Sequence, residues 1–261
     1  MIGSEGLLGV IVEATLRLRR LDSSSVSTIG AYFASVEEAA RAAAVISSSG
    51  LRPAIMEVLD KPAMVAIAAH LELDVRAESY LLVQTDGPGA AIEAEAALSV
   101  IRSLGGDAEL STHPDESARL LHIRRSFHPA MEKLGTVLIE DVCVPRSALP
   151  AMFAAIEQIG EKYGIPIPTV AHAGDGNMHP NFVFAPDPTQ DGGVPAAVWQ
   201  AADEMFLAAV RLGGTLTGEH GIGILKKRWL VNELGQDQFD LQQQVKAVFD
   251  PLGILNPGKV F

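Results

Sequence analysis

His172, His179, Glu219 and His220 lie in two short glycine-rich stretches, AHAGDGNMHP over residues 171–180 and GGTLTGEHGIG over 213–223. Histidine and carboxylate are the side chains that hold a catalytic divalent metal, and glycine lets a backbone bend tightly enough to aim them. Three of the chain's 7 histidines fall in these stretches. Asp175-Gly176 is a favoured two-residue hairpin turn. A hairpin closed there pairs Gly174 with Asn177, Ala173 with Met178 and His172 with His179. The two imidazoles then lie opposite each other on one face, with Cβ atoms ~5 Å apart. Asn181 follows His179 by two residues, so it shares that face and can reach a substrate. The plain alternative is a hairpin with two surface histidines. Glu219 and His220 are neighbours, and the flanking Gly218 and Gly221 allow a turn that brings both to one site. The natural division of labour makes Glu219 a third metal ligand and His220 a general base. His220 then stands beside whatever the metal binds, and an imidazole ordinarily titrates close to neutrality.

Arg124 and Arg125 fall on a predicted helix over residues 115–133, and a guanidinium is the best fork for a substrate carboxylate. His128, four residues after Arg124, is expected on the same face. A solvated basic face is the alternative for this cluster. The run KKRW over 226–229 reads as a solvated helix start, too small for a nucleic-acid site. Cys143 reads as a buried small residue in the strand-like VLIEDVCV, and the scattered methionines as core.

The elements that must position these groups alternate between β-rich and alanine-rich runs. Strands are expected over 27–34, 54–59, 79–87, 108–110 and 136–144. Helices are expected over 36–48, with Ser35 as N-cap, and over 62–71, 89–104, 115–133 and 147–163. Residues 1–20 read as a glycine-punctuated apolar strand, 185–197 as a loop and 249–261 as a docked, turn-rich tail. This succession favours a mixed layer structure, and it leaves parallel or ferredoxin-like antiparallel order open.

With 261 residues, 48% of them hydrophobic, the chain can bury a sizeable core, as one large domain or two small ones. A net charge of −12 argues against nucleic acid and anionic lipid as partners. One cysteine cannot form an internal disulfide. No apolar run reaches the roughly 18–20 residues of a membrane span. The N-terminus lacks the basic start of a signal peptide. The expectation is a cytoplasmic protein.

HAGDGNMHP, GGTLTGEHGIG and the C-terminal FDPLGILNPGKVF together resemble the C-terminal half of FAD-linked 2-hydroxyacid dehydrogenases. These include D-lactate dehydrogenase, the FAD subunit of glycolate oxidase and D-2-hydroxyglutarate dehydrogenase, within the vanillyl-alcohol oxidase superfamily. The opening IGSEGLLGVIVEATLRL is similar to that family's GSEGTLGI strand. The resemblance spans nearly the whole chain. It implies an α+β fold in which residues 1–20 are the end of an FAD-binding domain. Residues 21–225 are then a substrate cap of antiparallel sheet flanked by helices, and 226–261 return to the FAD-binding domain. It implies that Gly3, Ser4, Glu5, Gly6, Gly9 and Val10 line the FAD and that Asn177 and Asn256 approach the flavin. His172, His179 and Glu219 would hold a divalent metal of the zinc type. Leu7 stands where the family has threonine. Leu121 stands where an aromatic precedes the substrate arginine, which makes that arginine Arg124. Glu219 separates the chain from the alkyl-dihydroxyacetonephosphate synthase branch, which has histidine there.

The expected activity is oxidation of a small 2-hydroxy acid such as D-lactate, glycolate or D-2-hydroxyglutarate. Electrons would leave to a quinone, a cytochrome or an electron-transfer flavoprotein, which allows peripheral attachment to a membrane. A homodimer is compatible with this reading. The family's glycine-rich pyrophosphate loop does not occur in these residues, so an N-terminal FAD-binding half is the expected partner. The other class of reading is a non-catalytic metal-binding subunit that cannot bind FAD alone. A two-histidine, one-glutamate hydrolase is a third, but it leaves GSEG and LNPGK unexplained.

Overall fold

The computed structural model describes residues 1–18, 26–72 and 79–261. The expected boundary at residues 20/21 and the last two residues of the expected opening strand lie outside the described residues. Strand β1 (Ser27–Phe33) leads into helix α1 (Val36–Ser48). Ser35 caps α1 as its sequence suggests: its backbone is extended and its side chain accepts a hydrogen bond from the Glu38 amide. The buried stripe Ala39, Ala40, Ala42, Ala43 and Ile46 presents small side chains that let α1 lie close on the sheet. Next come β2 (Ile55–Leu59), α2 (Lys61–Leu71), β3 (Ser79–Thr85), α3 (Ala90–Ser103) and β4 (Asp107–Ser111). The chain continues through α4 (Pro114–Arg125), α5 (Phe127–Leu134), β5 (Thr136–Ile139), β6 (Val142–Cys143) and α6 (Leu149–Tyr163). It ends with β7 (Thr169–His172), β8 (Asn177–Phe184), α7 (Ala196–Arg211), α8 (Lys227–Leu234) and α9 (Gln236–Phe249).

The strands form one sheet in the order β4-β1-β3-β2-β7-β8-β5, with β6 also paired to β8. Every pairing is antiparallel, which settles the order that the sequence left open. Strands β1 to β3 are apolar on both faces, so helices must cover both. Ile29, Phe33, Met56, Val58 and Leu81 face α1, α3, α6 and α7 in the larger core. Leu59, Tyr80, Leu82 and Val170 face α2, α4 and α5 in the smaller one. Leu7, Leu230 and Val260 form a third cluster that joins the two ends of the chain.

Several local expectations need correction. The single helix expected over 115–133 breaks at Ser126. A continuous helix would drive the Pro129 ring against the Arg125 carbonyl. The strand expected over 136–144 is interrupted at Glu140 and Asp141, whose carboxylates are buried and turned toward Lys226. Residues 1–18 form turns and irregular chain rather than a strand. No described strand pairs with that segment, and Val12 and Leu18 are exposed. Cys143 is only half-buried. The tail is docked in part: Val260 is buried and donates to the Gly223 carbonyl, whereas Leu252 and Ile254 are exposed. No helix among the described residues is long and apolar enough to cross a membrane.

One buried carboxylate fixes how β2 meets β7. Asp60 caps α2 by accepting from the Ala63 amide at 2.8 Å, and its other oxygen accepts from the Thr169 amide at 2.9 Å. Asp60→Ala should destabilise the chain by roughly 1–3 kcal/mol, because a cap is lost and a buried amide is left unpaired. Urea unfolding with an unchanged slope and a lower midpoint would show it. An unchanged midpoint would mean that Asp60 does not tie these elements.

Candidate active site

Strands β2, β7 and β8 carry the central side chains on one face. Glu57 lies opposite His172, His172 opposite Asn177, and Val170 opposite His179. The hairpin therefore closes through four residues, Ala173 to Gly176, and His172 does not face His179 directly. Both the Asp175 and Gly176 amides donate to the His172 carbonyl, and the Asp175 side chain accepts from the Asn177 amide at 3.0 Å. This carboxylate-supported turn displaces the two-residue one. The pairing moves by two positions, which keeps every side chain on its face. The imidazoles meet diagonally, edge to face, with ring centroids 4.9 Å apart.

Glu219 Oε1 lies 3.1 Å from His179 Nε2 and 3.6 Å from His172 Nε2. The three ligand atoms fall within 4.8 Å of one another, which fits a single divalent ion. The second nitrogen of His172 is engaged: Nδ1 sits 2.6 Å from Glu57 Oε1. A carboxylate behind a ligating histidine fixes ring orientation and raises basicity. That contact holds the His172 pKa above its ordinary value, although burial pulls the other way. His179 moves oppositely, down to about 4, through burial and the nearby His172 and His220 rings. A buried neutral imidazole of this kind suits a metal ligand.

His220 stacks 5.1 Å from the His179 ring, with its Nδ1 3.6 Å from Asp141 Oδ1. Asp141 is wholly buried and accepts from Thr217 Oγ1 and from the amides of Gly218, Glu219 and His220. Burial alone would raise its pKa, but Lys226 and those amides hold it down to about 2. This carboxylate therefore contributes stability above its ordinary 3.8, which is lost as pH falls through about 2. Two glycines make the loop possible. A Cβ on Gly218 would sit 2.2 Å from Asn177 Oδ1, and Gly221 has φ +83° against the Glu5 carboxylate.

Arg124 reaches the site from α4, with Nε donating to Glu57 Oε2 at 2.8 Å. No described residue accepts from its terminal nitrogens. Arg125 points to solvent. The break at Ser126 removes His128 from the Arg124 face, and His128 pairs with Glu132 in solvent. Asn177 and Asn181 are buried on the face of His179, and the amide oxygens of both lack a partner among the described residues. Lys226, expected in solvent, is buried beneath the loop and bonded to Asp141.

The residues expected around FAD form a separate clasp. The Glu5 carboxylate accepts from the Ile222 and Gly223 amides at 2.6 and 2.7 Å, and Asn256 donates to the Glu5 carbonyl. Their polar groups are thus committed to shaping the chain. Gly3 and Ser4 line a cavity of about 480 Å³ with Thr215 and Thr217. Gly6 packs on Asn256, while Gly9 and Val10 lie in irregular chain with Val10 exposed. A groove of about 700 Å³ at the far end of β2, lined by Asp60, Pro62 and Phe153, includes none of these residues.

Glu57, Asp141 and Lys226 belong to the site but lie outside the two glycine-rich motifs or carry no catalytic signal there. A lone acid in AIMEVL and an acidic pair in VLIEDVCV, both otherwise apolar strands, are the sequence features that mark the two carboxylates.

The sequence profile described as "FAD linked oxidases, C-terminal domain" matches residues 23–260. Glycolate oxidase subunit GlcD of Bacillus subtilis is 36% identical over all of this chain and 56% of its own length. D-lactate dehydrogenase of Archaeoglobus fulgidus is 32% identical over all of this chain and 57% of its own. The chain thus spans about half the length of these curated relatives. Among solved structures, alkyldihydroxyacetonephosphate synthase superposes with a TM-score of 0.62 at 17% identity, covering 98% of this chain and 48% of that one. The p-cresol methylhydroxylase structure gives 0.66 at 11% identity, covering 90% and 52%. At such identities the likeness concerns the fold.

Zinc added to the chain should release a proton if it binds here, because the His172 pKa lies above its ordinary value and the ion competes with that proton for the ring. Affinity should therefore rise with pH above the ordinary 6.5. Glu57→Gln should weaken zinc roughly 10–100-fold and move this dependence to lower pH. Calorimetric titration in buffers of different ionisation heat reads both quantities, and an unchanged proton release would remove Glu57 from this role.

Proposed function

Starting from the fact that this chain belongs to the FAD-linked oxidase C-terminal domain family, we propose that it is the substrate-binding and metal-binding half of a flavin-dependent dehydrogenase. Its substrate would be a small 2-hydroxy acid, converted to the 2-oxo acid. The observation that carries this reading is the convergence of His172, His179 and Glu219 beside His220, Arg124 and two unpartnered amide oxygens. The donor set suits a zinc-like cation, and the Arg124 guanidinium, whose terminal nitrogens have no acceptor among the described residues, suits a carboxylate.

When bound, such a cation supplies Lewis acidity toward the hydroxyl oxygen and the flavin accepts a hydride. The chain's own residues would do the rest. Arg124, held through Nε by Glu57, offers its two terminal nitrogens to the substrate carboxylate. His220, backed by Asp141, takes the hydroxyl proton. Asn177 and Asn181 orient polar groups of substrate or flavin through oxygens with no other partner.

Residues 1–20 and 226–261 are proposed to pack against an FAD-binding half. Exposed Val12 and Leu18 at one end, and Val248, Phe249 and Leu252 at the other, offer it apolar surface. Asn256 and the Gly3–Gly6 turn would shape the flavin side of that junction.

Three measurements test this reading. The 261 residues alone should bind FAD weakly, because no glycine-rich pyrophosphate loop is present; stoichiometric flavin on this chain by itself would overturn that. Joined to an FAD-binding half, the protein should lose its flavin absorbance when a small 2-hydroxy acid is added anaerobically. Failure with every small D- and L-2-hydroxy acid tried would sink the dehydrogenase reading. In the same protein, His220→Ala should lower kcat by roughly 10²–10⁴-fold with metal content intact. Arg124→Ala should chiefly raise KM. Metal lost along with turnover in His220→Ala would make that histidine a ligand instead.

A further inference from the structure

Glu219 poses a physical problem. Its side chain is 56% exposed, and among the described residues its carboxylate pairs only with the two histidines it would share an ion with. A metal-binding carboxylate on a glycine-flanked loop would ordinarily swing, so something else must hold it in place. What holds the loop is Asp141. Three consecutive amides, those of Gly218, Glu219 and His220, converge on Asp141 Oδ2 at 2.7, 2.7 and 3.1 Å. Successive N–H groups wrapped around one oxygen form an anion-binding nest, filled here by a side chain of the protein itself. Thr217 Oγ1 adds a fourth donor at 2.9 Å and accepts in turn from the Gly221 amide, so both ends of the loop are tied.

The anion must itself be held. Lys226 bonds Asp141 Oδ1 and also donates to the Asp141 carbonyl at 2.7 Å and the Leu216 carbonyl at 3.0 Å. Its ammonium lies 5.5 Å from the Phe206 ring, and both partners of the pair are buried. One lysine thus clamps the interrupted β5–β6 region to the chain entering the loop.

We propose that the buried Asp141–Lys226 pair is a positioning device that aims Glu219 at the metal site and sets His220 beside it. This rests on the metal reading given above. Neither residue touches the side chains of the three proposed ligands; Asp141 faces the His220 ring at 3.6 Å, and toward Glu219 both act through the loop backbone.

The experiment is a zinc-binding cycle on this chain. Asp141→Ala combined with Lys226→Met removes both charges together, so neither is stranded in the interior. The double variant should keep its circular dichroism and a cooperative melt while its zinc dissociation constant rises by at least ~10-fold. Glu219→Ala should do the same. Adding Glu219→Ala to the double variant should then weaken zinc no further, because an aiming device has nothing left to aim. A merely structural pair would give additive losses, and that result overturns the proposal. So does a folded double variant that binds zinc as tightly as the parent. Should the double variant not fold, Thr217→Val is read in the same cycle: a several-fold loss that disappears in the Glu219→Ala background supports the device, and an unchanged affinity rejects it. The control separates the two levels. A parent chain that takes up no zinc through His172 and His179 brings down the metal reading and this inference with it.

Discussion

The pairing of β7 with β2 on one side and β8 on the other is the constraint on which the site depends. It places Glu57, His172, Asn177, His179 and Asn181 on one face of the sheet. Side chains alternate with a period of two, so a slip of one residue in either ladder would send its contribution into the opposite core. The faces differ sharply: the other side of β8 buries Met178 and Phe182. A slipped strand would place histidine among apolar helices and methionine in the site. Apolar burial therefore enforces the register of the polar groups.

Two assemblies of buried charge hold the site together. Glu57 joins Arg124 to His172, and Asp141 joins Lys226 to the loop amides. Breaking one partner of such a buried pair costs roughly 3–5 kcal/mol, since the remaining charge is left without compensation. Exposed pairs such as Arg119–Glu109 contribute about 0–1 kcal/mol. The buried assemblies restrict geometry, and the geometry they restrict is that of the proposed ligands.

Much of the fold was legible because its helices and strands carry strong local patterns. Ser35 and the alanine stripe after it marked α1 to the residue, and β1 and β3 followed from apolar runs. Breaks inside elements were less legible. Pro129 carries the information to split α4 from α5, but the charged, helix-favouring residues on both sides of it give 115–133 the local pattern of one helix. Glu140 and Asp141 looked like strand because their neighbours are β-formers, and only the tertiary approach of Lys226 turns them inward. That His172, His179 and Glu219 converge was legible from residue types and glycine punctuation. Their supporting residues were not: Glu57 lies 115 positions from His172 and Asp141 lies 85 from Lys226, separations that no local pattern encodes.

The Glu5 clasp has a consequence for how the chain acquires its site. Glu5 meets Ile222 and Gly223 across 217 and 218 positions, nearly the full length of the polypeptide. Closing so long a loop is slow, because its entropy is lost before the contact returns anything. The α1-covered half of the sheet can form from nearer contacts while the glycine-rich loop is still loose. The cation would then meet a chain already folded around most of its core, and the ligand sphere would be the last part to reach its final shape.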